Sequence, residues 1–190
     1  QPIEHIQSLR AMPNLLVMRP ADAVETAECW AIALEQKHRP TLLALTRQNL
    51  PAFRDDASVN LSAKGGYRVK AADADRKVVI IGTGSEVSLA REVAEKLEAA
   101  GVGADVVSMV STELFDEQDG AYQDDILPRD ALIVSIEAGT TFGWERYTGR
   151  DGLRFGIDSF GASAPIDDLY RHFGLTADQI APKILAKVGA

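Results

Sequence analysis

Arg47, Gln48 and Asn49 are the side chains best suited to binding an anion. They follow the apolar run at residues 41–45, which is predicted to be a buried strand. Arginine presents a rigid fork of donors that fits a phosphate, and open α/β sheets bind ligands at the carboxyl ends of their strands. Two interpretations of Arg47 follow: a phosphate site, or a local ion pair with a carboxylate.

A glycine-rich turn, Gly82-Thr83-Gly84, joins the apolar run at residues 78–81 to a helical pattern. Dinucleotide-binding sites use this setting, but Val87 stands where the third glycine would be, and the acidic candidate Asp105 starts the next strand instead of ending it. We therefore favour a tight strand-to-helix turn over a nucleotide site.

The other reactive side chains form no catalytic or metal-binding pattern. Glu137 follows a predicted strand and could act as an acid or base, but we favour a local pair. Cys29, the single cysteine, excludes an internal disulfide and lies in an apolar helical pattern, so a buried inert thiol is expected. Trp144 and Tyr147 are expected to pack in the core or at an interface. The histidines lack the spacing of a metal site: His5, His38 and His172.

Two strand–helix–strand patterns position these residues. The first joins strands 15–18 and 41–45 through a helix that Asp22 caps, with Glu25 at the spacing of a capping box. The apolar residues of this helix are Val24, Ala27, Trp30, Ile32, Ala33 and Leu34. The second joins strands 78–81 and 104–109 through a helix that Ser85 caps and Gly101 ends.

Further strands are predicted at 66–69, at 132–136 and, as an edge strand, near Phe155. Residues 52–66 have the composition of a linker. The sequence thus predicts an α/β protein with a mostly parallel, Rossmann-like sheet covered by helices on both faces, preceded by a truncated α/β segment.

The composition limits the partners of the chain. A net charge of −8 over 190 residues argues against general nucleic-acid binding, which requires a basic face. No stretch is long and apolar enough to span a membrane, and no signal peptide is visible, so a reducing cytoplasm is expected. The chain begins with Gln1 and enters a helical pattern at once, so we expect a fragment.

Six segments resemble transketolases and lie in the order expected for that family. They are QPIEH at 1–5, NLLVMRPAD at 14–22, LALTRQNLP at 43–51, GTGSEVSLA at 82–90, SMVSTELFD at 108–116 and DSFGASAP at 158–165. The resemblance implies that residues 1–57 end a pyrimidine-binding domain and that residues 58–190 form the C-terminal domain.

The resemblance also implies an activity for the parent enzyme. Transketolases form homodimers that use thiamine diphosphate and Mg or Ca to move a two-carbon ketol unit from a ketose phosphate to an aldose phosphate in the pentose phosphate pathway. Arg47 matches the arginine of the family that binds phosphorylated sugars. The family's catalytic, cofactor-binding and metal-binding residues lie upstream, including a histidine just before Gln1. The chain alone is therefore expected to be inactive and to bind no cofactor.

Three alternatives stay open at the level of sequence. A related thiamine enzyme, such as dihydroxyacetone synthase, shares the chemistry. A non-enzymatic α/β interaction module would require no catalytic residue. A nucleotide-binding module would use Gly82 and Gly84.

Overall fold

The computed structural model describes residues 1–190 and contains two separate sheets. A short helix, α1 (His5–Arg10), precedes a first unit made of β1 (Leu16–Met18), α2 (Ala23–Glu35) and β2 (Thr41–Leu43). The two strands pair in parallel. This small unit is the α/β segment that the sequence predicts ahead of the larger sheet.

The start of α2 follows the predicted capping box in a modified form. The Glu25 N–H donates to Asp22 Oδ1 at 2.8 Å, and Glu25 Oε2 accepts from the Ala21 N–H at 2.6 Å. The apolar residues of α2 are not all buried, because Trp30 and Leu34 are 54% and 78% exposed. The helix instead buries Glu25, Glu28, Cys29 and Ile32.

The strand β2 is shorter than predicted and only half-buried. The prediction of a buried strand over 41–45 is wrong for a topological reason. β2 has a single neighbour, β1, so its other edge is open. After Leu43 one more ladder bond forms, from the Ala44 N–H to the Met18 carbonyl at 2.8 Å, and the chain then leaves the sheet.

The second unit contains a five-stranded sheet in the order β3-β5-β4-β6-β7. The strands are β3 (Gly66–Lys70), β4 (Arg76–Gly82), β5 (Gly103–Met109), β6 (Leu132–Ile136) and β7 (Leu153–Phe155). Only β3 runs antiparallel to its neighbour. The predicted mostly parallel sheet is confirmed, and β7 is the predicted edge strand.

Six helices accompany this sheet. They are α3 (Glu86–Ala99), α4 (Thr112–Asp116), α5 (Gly120–Ile126), α6 (Glu145–Thr148), α7 (Ile166–Phe173) and α8 (Ala177–Val188). Alternate residues of the strands pack against α3 and α8 on one face and against residues of α4 and α5 on the other. No helix of the chain has the length and apolar character needed to cross a lipid bilayer.

The two units share a buried apolar cluster. Leu16, Met18 and Cys29 of the first unit pack with Tyr67 and Val110 of the second. A segment without helix or strand, residues 52–60, joins the units, followed by a 3₁₀ helix at Leu61–Lys64. The segment predicted as a linker, residues 52–66, is therefore irregular only up to residue 60.

The linker is attached to α2 by several hydrogen bonds. Asp22 Oδ2 accepts from the backbone N–H groups of Phe53 and Arg54 at 3.3 and 3.2 Å. Arg54 Nη1 donates to Glu28 Oε2 at 2.7 Å. The segment is thus fixed at Arg54, while residues 55–59 are exposed.

The carboxyl ends of β4 and β6 lie side by side, with Gly82 opposite Ile136. From β4 the chain passes through α3 to β5 on one side, and from β6 it passes to β7 on the other side. The strand order therefore reverses between β4 and β6. This is the position at which open α/β sheets form a ligand crevice.

Candidate functional site

Arg47 lies in the segment that leaves the carboxyl edge of the first sheet. The turn is shaped by a 3.1 Å hydrogen bond from the Gln48 N–H to Thr46 Oγ1. Arg47 is exposed. It takes part in none of the salt bridges of the chain. The alternative of a local ion pair is therefore not seen, and the guanidinium is free to accept an external anion.

Two cavities border this loop, residues 44–51. One of about 520 Å³ is lined by Asp22, Thr26, Thr46, Gln48 and Asn49, among others. A smaller cavity of about 210 Å³ lies between the start of the loop and the Gly84-Ser85 turn. The loop thus presents hydroxyl and amide groups of Thr46, Gln48 and Asn49 to these cavities, while Arg47 itself lines neither of them.

A buried ion-pair cluster occupies the crevice between β4 and β6. Arg19, which directly follows β1, reaches Glu137 Oε1 with Nη1 at 2.6 Å and Glu86 Oε2 with Nη2 at 3.2 Å. Glu137 Oε2 also accepts from Arg10 Nη1 at 2.9 Å and from Trp144 Nε1 at 2.8 Å. Two guanidinium groups and two carboxylates therefore compensate each other away from water.

Glu137 is held as a carboxylate in this cluster. Burial alone raises the pKa of Glu137, but the charges of Arg10 and Arg19 and the hydrogen bonds from Arg10 and Trp144 outweigh it and lower this pKa to about 2. A group with this pKa is a poor acid or base near neutral pH. Glu137 thus forms a pair, but not the predicted local one, because its charged partners Arg10 and Arg19 lie 127 and 118 residues away in the sequence.

Glu86, the second carboxylate of the cluster, is fully buried in the first turn of α3. Its Oε1 accepts from Ser85 Oγ and from the Tyr170 hydroxyl, both at 2.6 Å. Its Oε2 accepts from the Ala138 N–H at 3.1 Å. Ser85 stands at the predicted N-cap position, but its backbone is helical, with φ −56° and ψ −26°, and its side chain makes no capping bond.

The Gly82-Thr83-Gly84 turn is a tight connection that Arg19 closes. Gly84 has a φ of +56°, and its N–H donates to the Arg19 carbonyl at 3.1 Å. A β-carbon at Gly84 would lie 3.2 Å from Arg19 Nε, so glycine permits this close approach. The first unit therefore fills the crevice that a nucleotide would need, in agreement with the predicted structural turn.

The remaining candidates have structural roles or none. Cys29 is buried, and burial raises the pKa of its thiol to about 12. Trp144 is buried beside Tyr147, with ring centroids 5.8 Å apart. His5, His38 and His172 belong to no cluster, since no group of three or more His, Cys, Asp or Glu side chains could hold a metal ion.

Arg10, Arg19 and Glu86 are the residues that sequence analysis missed. Arg19 could have been found, because it leaves the carboxyl end of β1 just as Arg47 leaves the end of β2. Glu86 gave no functional signal, because a carboxylate in the first turn of a helix is favoured by the helix dipole alone. Arg10 gave no signal beyond its place in a short helix.

Comparison with known proteins identifies the family. The family described as "Transketolase-like TK C-terminal domain" matches residues 65–176, more than half of the chain. The chain belongs to the transketolase family. A second family, "Transketolase, pyrimidine binding domain", matches residues 1–52. The division of the chain into domains at residues 1–57 and 58–190 stays a prediction.

Individual transketolases match almost the whole chain. The transketolase of Sinorhizobium medicae is 50% identical over 187 residues, 97% of this chain and 27% of its own length. The chloroplastic transketolase of Solanum tuberosum is 48% identical over 95% of this chain and 25% of its own length. A Pichia stipitis transketolase solved with sedoheptulose-7-phosphate superposes with a TM-score of 0.91 at 38% identity, covering 100% of this chain and 27% of that one.

The chain thus spans about a quarter of the length of the curated transketolases that it matches.

Proposed function

We propose that this chain is the C-terminal portion of a transketolase and that Arg47 binds the phosphate of its sugar substrates. The observation that carries the proposal is an exposed arginine without a carboxylate partner, at the carboxyl edge of a parallel sheet. The similar Pichia stipitis protein was solved with a phosphorylated ketose, which supports this substrate class. The reaction would move a two-carbon ketol unit from a ketose phosphate to an aldose phosphate.

The proposed role of Arg47 is binding rather than chemistry. The terminal phosphate of a ketose phosphate is remote from the carbon at which the bond is broken. An interaction with that phosphate is made in the ground state and the transition state alike, so it lowers KM and leaves kcat nearly unchanged.

The family implies thiamine diphosphate and a divalent metal, but the residues of this chain do not fit either group. No cluster of carboxylates, histidines or cysteines could hold a metal ion. A diphosphate could approach the N-terminus of α3, yet Glu86 and Arg19 occupy that position with their own ion pair. We therefore derive no step through these groups and propose that the isolated chain is inactive.

We further propose a homodimer located in the cytoplasm, with residues 1–57 ending the pyrimidine-binding domain and residues 58–190 forming the C-terminal domain. Exposed Trp30 and Leu34 on α2 support a surface that the complete protein covers. The unpaired Cys29 suits a reducing compartment. Relatives named transketolase favour this activity over that of dihydroxyacetone synthase.

Replacement of Arg47 in the complete enzyme tests the proposal. Arg47→Ala should raise KM for phosphorylated sugars roughly ten- to a hundredfold with a smaller effect on kcat, because a charged hydrogen bond contributes about 1.5–3 kcal/mol. Arg47→Lys should restore part of the affinity, since it keeps the charge and loses the fork. Arg150, also exposed and without an ion pair, provides the matched control Arg150→Ala.

Steady-state kinetics with one phosphorylated and one unphosphorylated donor decides the outcome. The unphosphorylated donor should be almost insensitive to Arg47→Ala, since it has no group at that position. Equal losses on both donors would show that Arg47 supports the fold or the cofactor site instead, and the phosphate assignment would be wrong.

A further inference from the structure

We propose that Glu86 and Glu137 of the second unit act through Arg19 to position the loop 44–51, and thereby set the affinity for the sugar phosphate. Glu86, Glu137 and Arg19 are positioning residues, since the two carboxylates are buried, Arg19 is mostly buried, and the three are directed at one another. The inference rests on the proposed binding of phosphate by Arg47. It assigns to the C-terminal unit a part in substrate affinity without any contact to the substrate.

The backbone of Arg19 connects the two units next to the start of the loop. Its N–H donates to the Val110 carbonyl at 2.8 Å, and its carbonyl accepts from the Gly84 N–H at 3.1 Å. The carbonyl of the preceding residue, Met18, accepts a hydrogen bond from the N–H of Ala44, and Ala44 is the first residue of the loop. A displacement of Arg19 is therefore transmitted to Ala44 through one residue and one hydrogen bond.

Arg19 also faces the beginning of the loop across a cavity. The cavity of about 210 Å³ is lined on one side by Arg19, Gly84 and Ser85 and on the other by Leu45 and Thr46. The Arg19 side chain is 13% exposed, and its fork is fixed by two carboxylates. Because a guanidinium held at both ends has one orientation, the wall of this cavity is fixed as well.

The far end of the loop faces the same helix. Gln48, Asn49, Leu50 and Pro51 line a cavity of about 560 Å³ together with Ser85, Ser88, Leu89 and Glu92 of the α3 start. Glu86 lies in this first turn and is itself held by Ser85 and Tyr170. The Arg47 segment thus faces, at both ends, the region in which Glu86 and Arg19 pair.

The sign of the kinetic effect separates positioning from simple electrostatics. Removing the negative charge of Glu86 would, through its field alone, favour an anionic substrate and lower KM. Loss of the positioning of the loop would instead weaken phosphate binding and raise KM. Coupling through packed and hydrogen-bonded groups changes binding by roughly 0.5–2 kcal/mol. We therefore expect Glu86→Gln to raise KM for the phosphorylated donor roughly two- to thirtyfold, with kcat within about twofold of the unsubstituted enzyme.

The experiment is a double-mutant cycle in the complete enzyme. If Glu86 acts through Arg47, adding Glu86→Gln to Arg47→Ala should leave KM unchanged from that of Arg47→Ala alone. KM for an unphosphorylated donor should not respond to Glu86→Gln. Glu95→Gln is the matched control, since Glu95 is an exposed carboxylate of α3 that forms no ion pair. Additive effects of Glu86→Gln and Arg47→Ala, or a lower KM in Glu86→Gln, would overturn the inference.

Amide hydrogen exchange on the 190-residue chain provides a second readout that needs no activity. Glu86→Gln should accelerate exchange at residues 44–51 while β4 and β5 keep their protection. Arg19→Lys, which keeps the charge, should give a smaller change and serves if Glu86→Gln does not fold. Unchanged exchange in the loop for both variants would refute positioning. A failure of Arg47→Ala to distinguish the two donors would refute the proposed phosphate site instead.

Discussion

Glu137→Gln should destabilise the chain by about 3 kcal/mol at pH 7. The pKa of Glu137 falls from its ordinary value of 4.5 to about 2. At about 1.4 kcal/mol per pH unit, this difference corresponds to about 3.5 kcal/mol of stability from the ionised carboxylate. Removing one partner of a buried ion pair gives a similar magnitude of about 3–5 kcal/mol. The amide of glutamine recovers part of this loss, because its oxygen still accepts one hydrogen bond.

The pH dependence of this loss has a defined sign. A carboxylate whose pKa is lower in the folded state stabilises above the unfolded pKa, and this stability is lost as the pH falls towards the folded pKa. The contribution of Glu137 is complete above pH 4.5 and disappears as the pH approaches 2. At pH 3.5 the unsubstituted chain should have lost about 1.4 kcal/mol of it. The difference in stability between the unsubstituted chain and Glu137→Gln should therefore narrow to about 2 kcal/mol or less at this pH.

Urea denaturation followed by far-ultraviolet circular dichroism measures both quantities on the isolated chain. The two proteins should show equal m values, so that the shift of the midpoint reports stability. Glu95→Gln, a carboxylate exposed on α3, should change stability by less than about 0.5 kcal/mol. A loss below about 1 kcal/mol in Glu137→Gln, or a difference that does not change between pH 7 and 3.5, would refute the assignment of an ionised, buried Glu137.

Two further predictions concern Cys29 and the linker. Burial raises the pKa of Cys29 to about 12, so a thiol reagent at pH 7.5 should label the native chain only as fast as the chain unfolds locally. In urea, one thiol should react rapidly. Rapid labelling of the folded chain would contradict this prediction. Limited digestion with thermolysin should first cut the chain within the exposed residues 55–59. Arg54→Ala should accelerate that cut, because it removes the 2.7 Å ion pair with Glu28. A first cut within residues 77–136 would count against the two-unit organisation.

Much of the fold can be predicted because its signals are local. The apolar run before Gly82 gives β4, and the helical spacing after it gives α3. Gly101 has a φ of +81° just after α3, as expected for a glycine that ends a helix. Each of these features depends on residues within one element and its two ends. The same local logic placed Arg47 in the segment that leaves a strand, and its binding role stays a prediction.

The sequence alone could not orient α2. Its helical spacing is real, but the face that is buried depends on what lies opposite. Glu25 and Glu28 turn inward because Tyr67, Arg54 and Ser62 of the following segments provide hydrogen-bond donors for their carboxylates. Trp30 and Leu34 then remain on the outer side. Hydrophobicity within the helix would give the reverse assignment, since it contains no information on distant donors.

The sequence by itself therefore determined the α/β class, the family resemblance and the position of Arg47. The tertiary structure decided how the two units are joined. Arg19 and Arg10 meet Glu137 across 118 and 127 residues of chain. No periodicity or local spacing connects groups so far apart, because the contact exists only after the first unit docks on the carboxyl edge of the second sheet. The physical reason is desolvation: these charges are stable away from water only in each other's presence, so only the folded chain reveals them as partners.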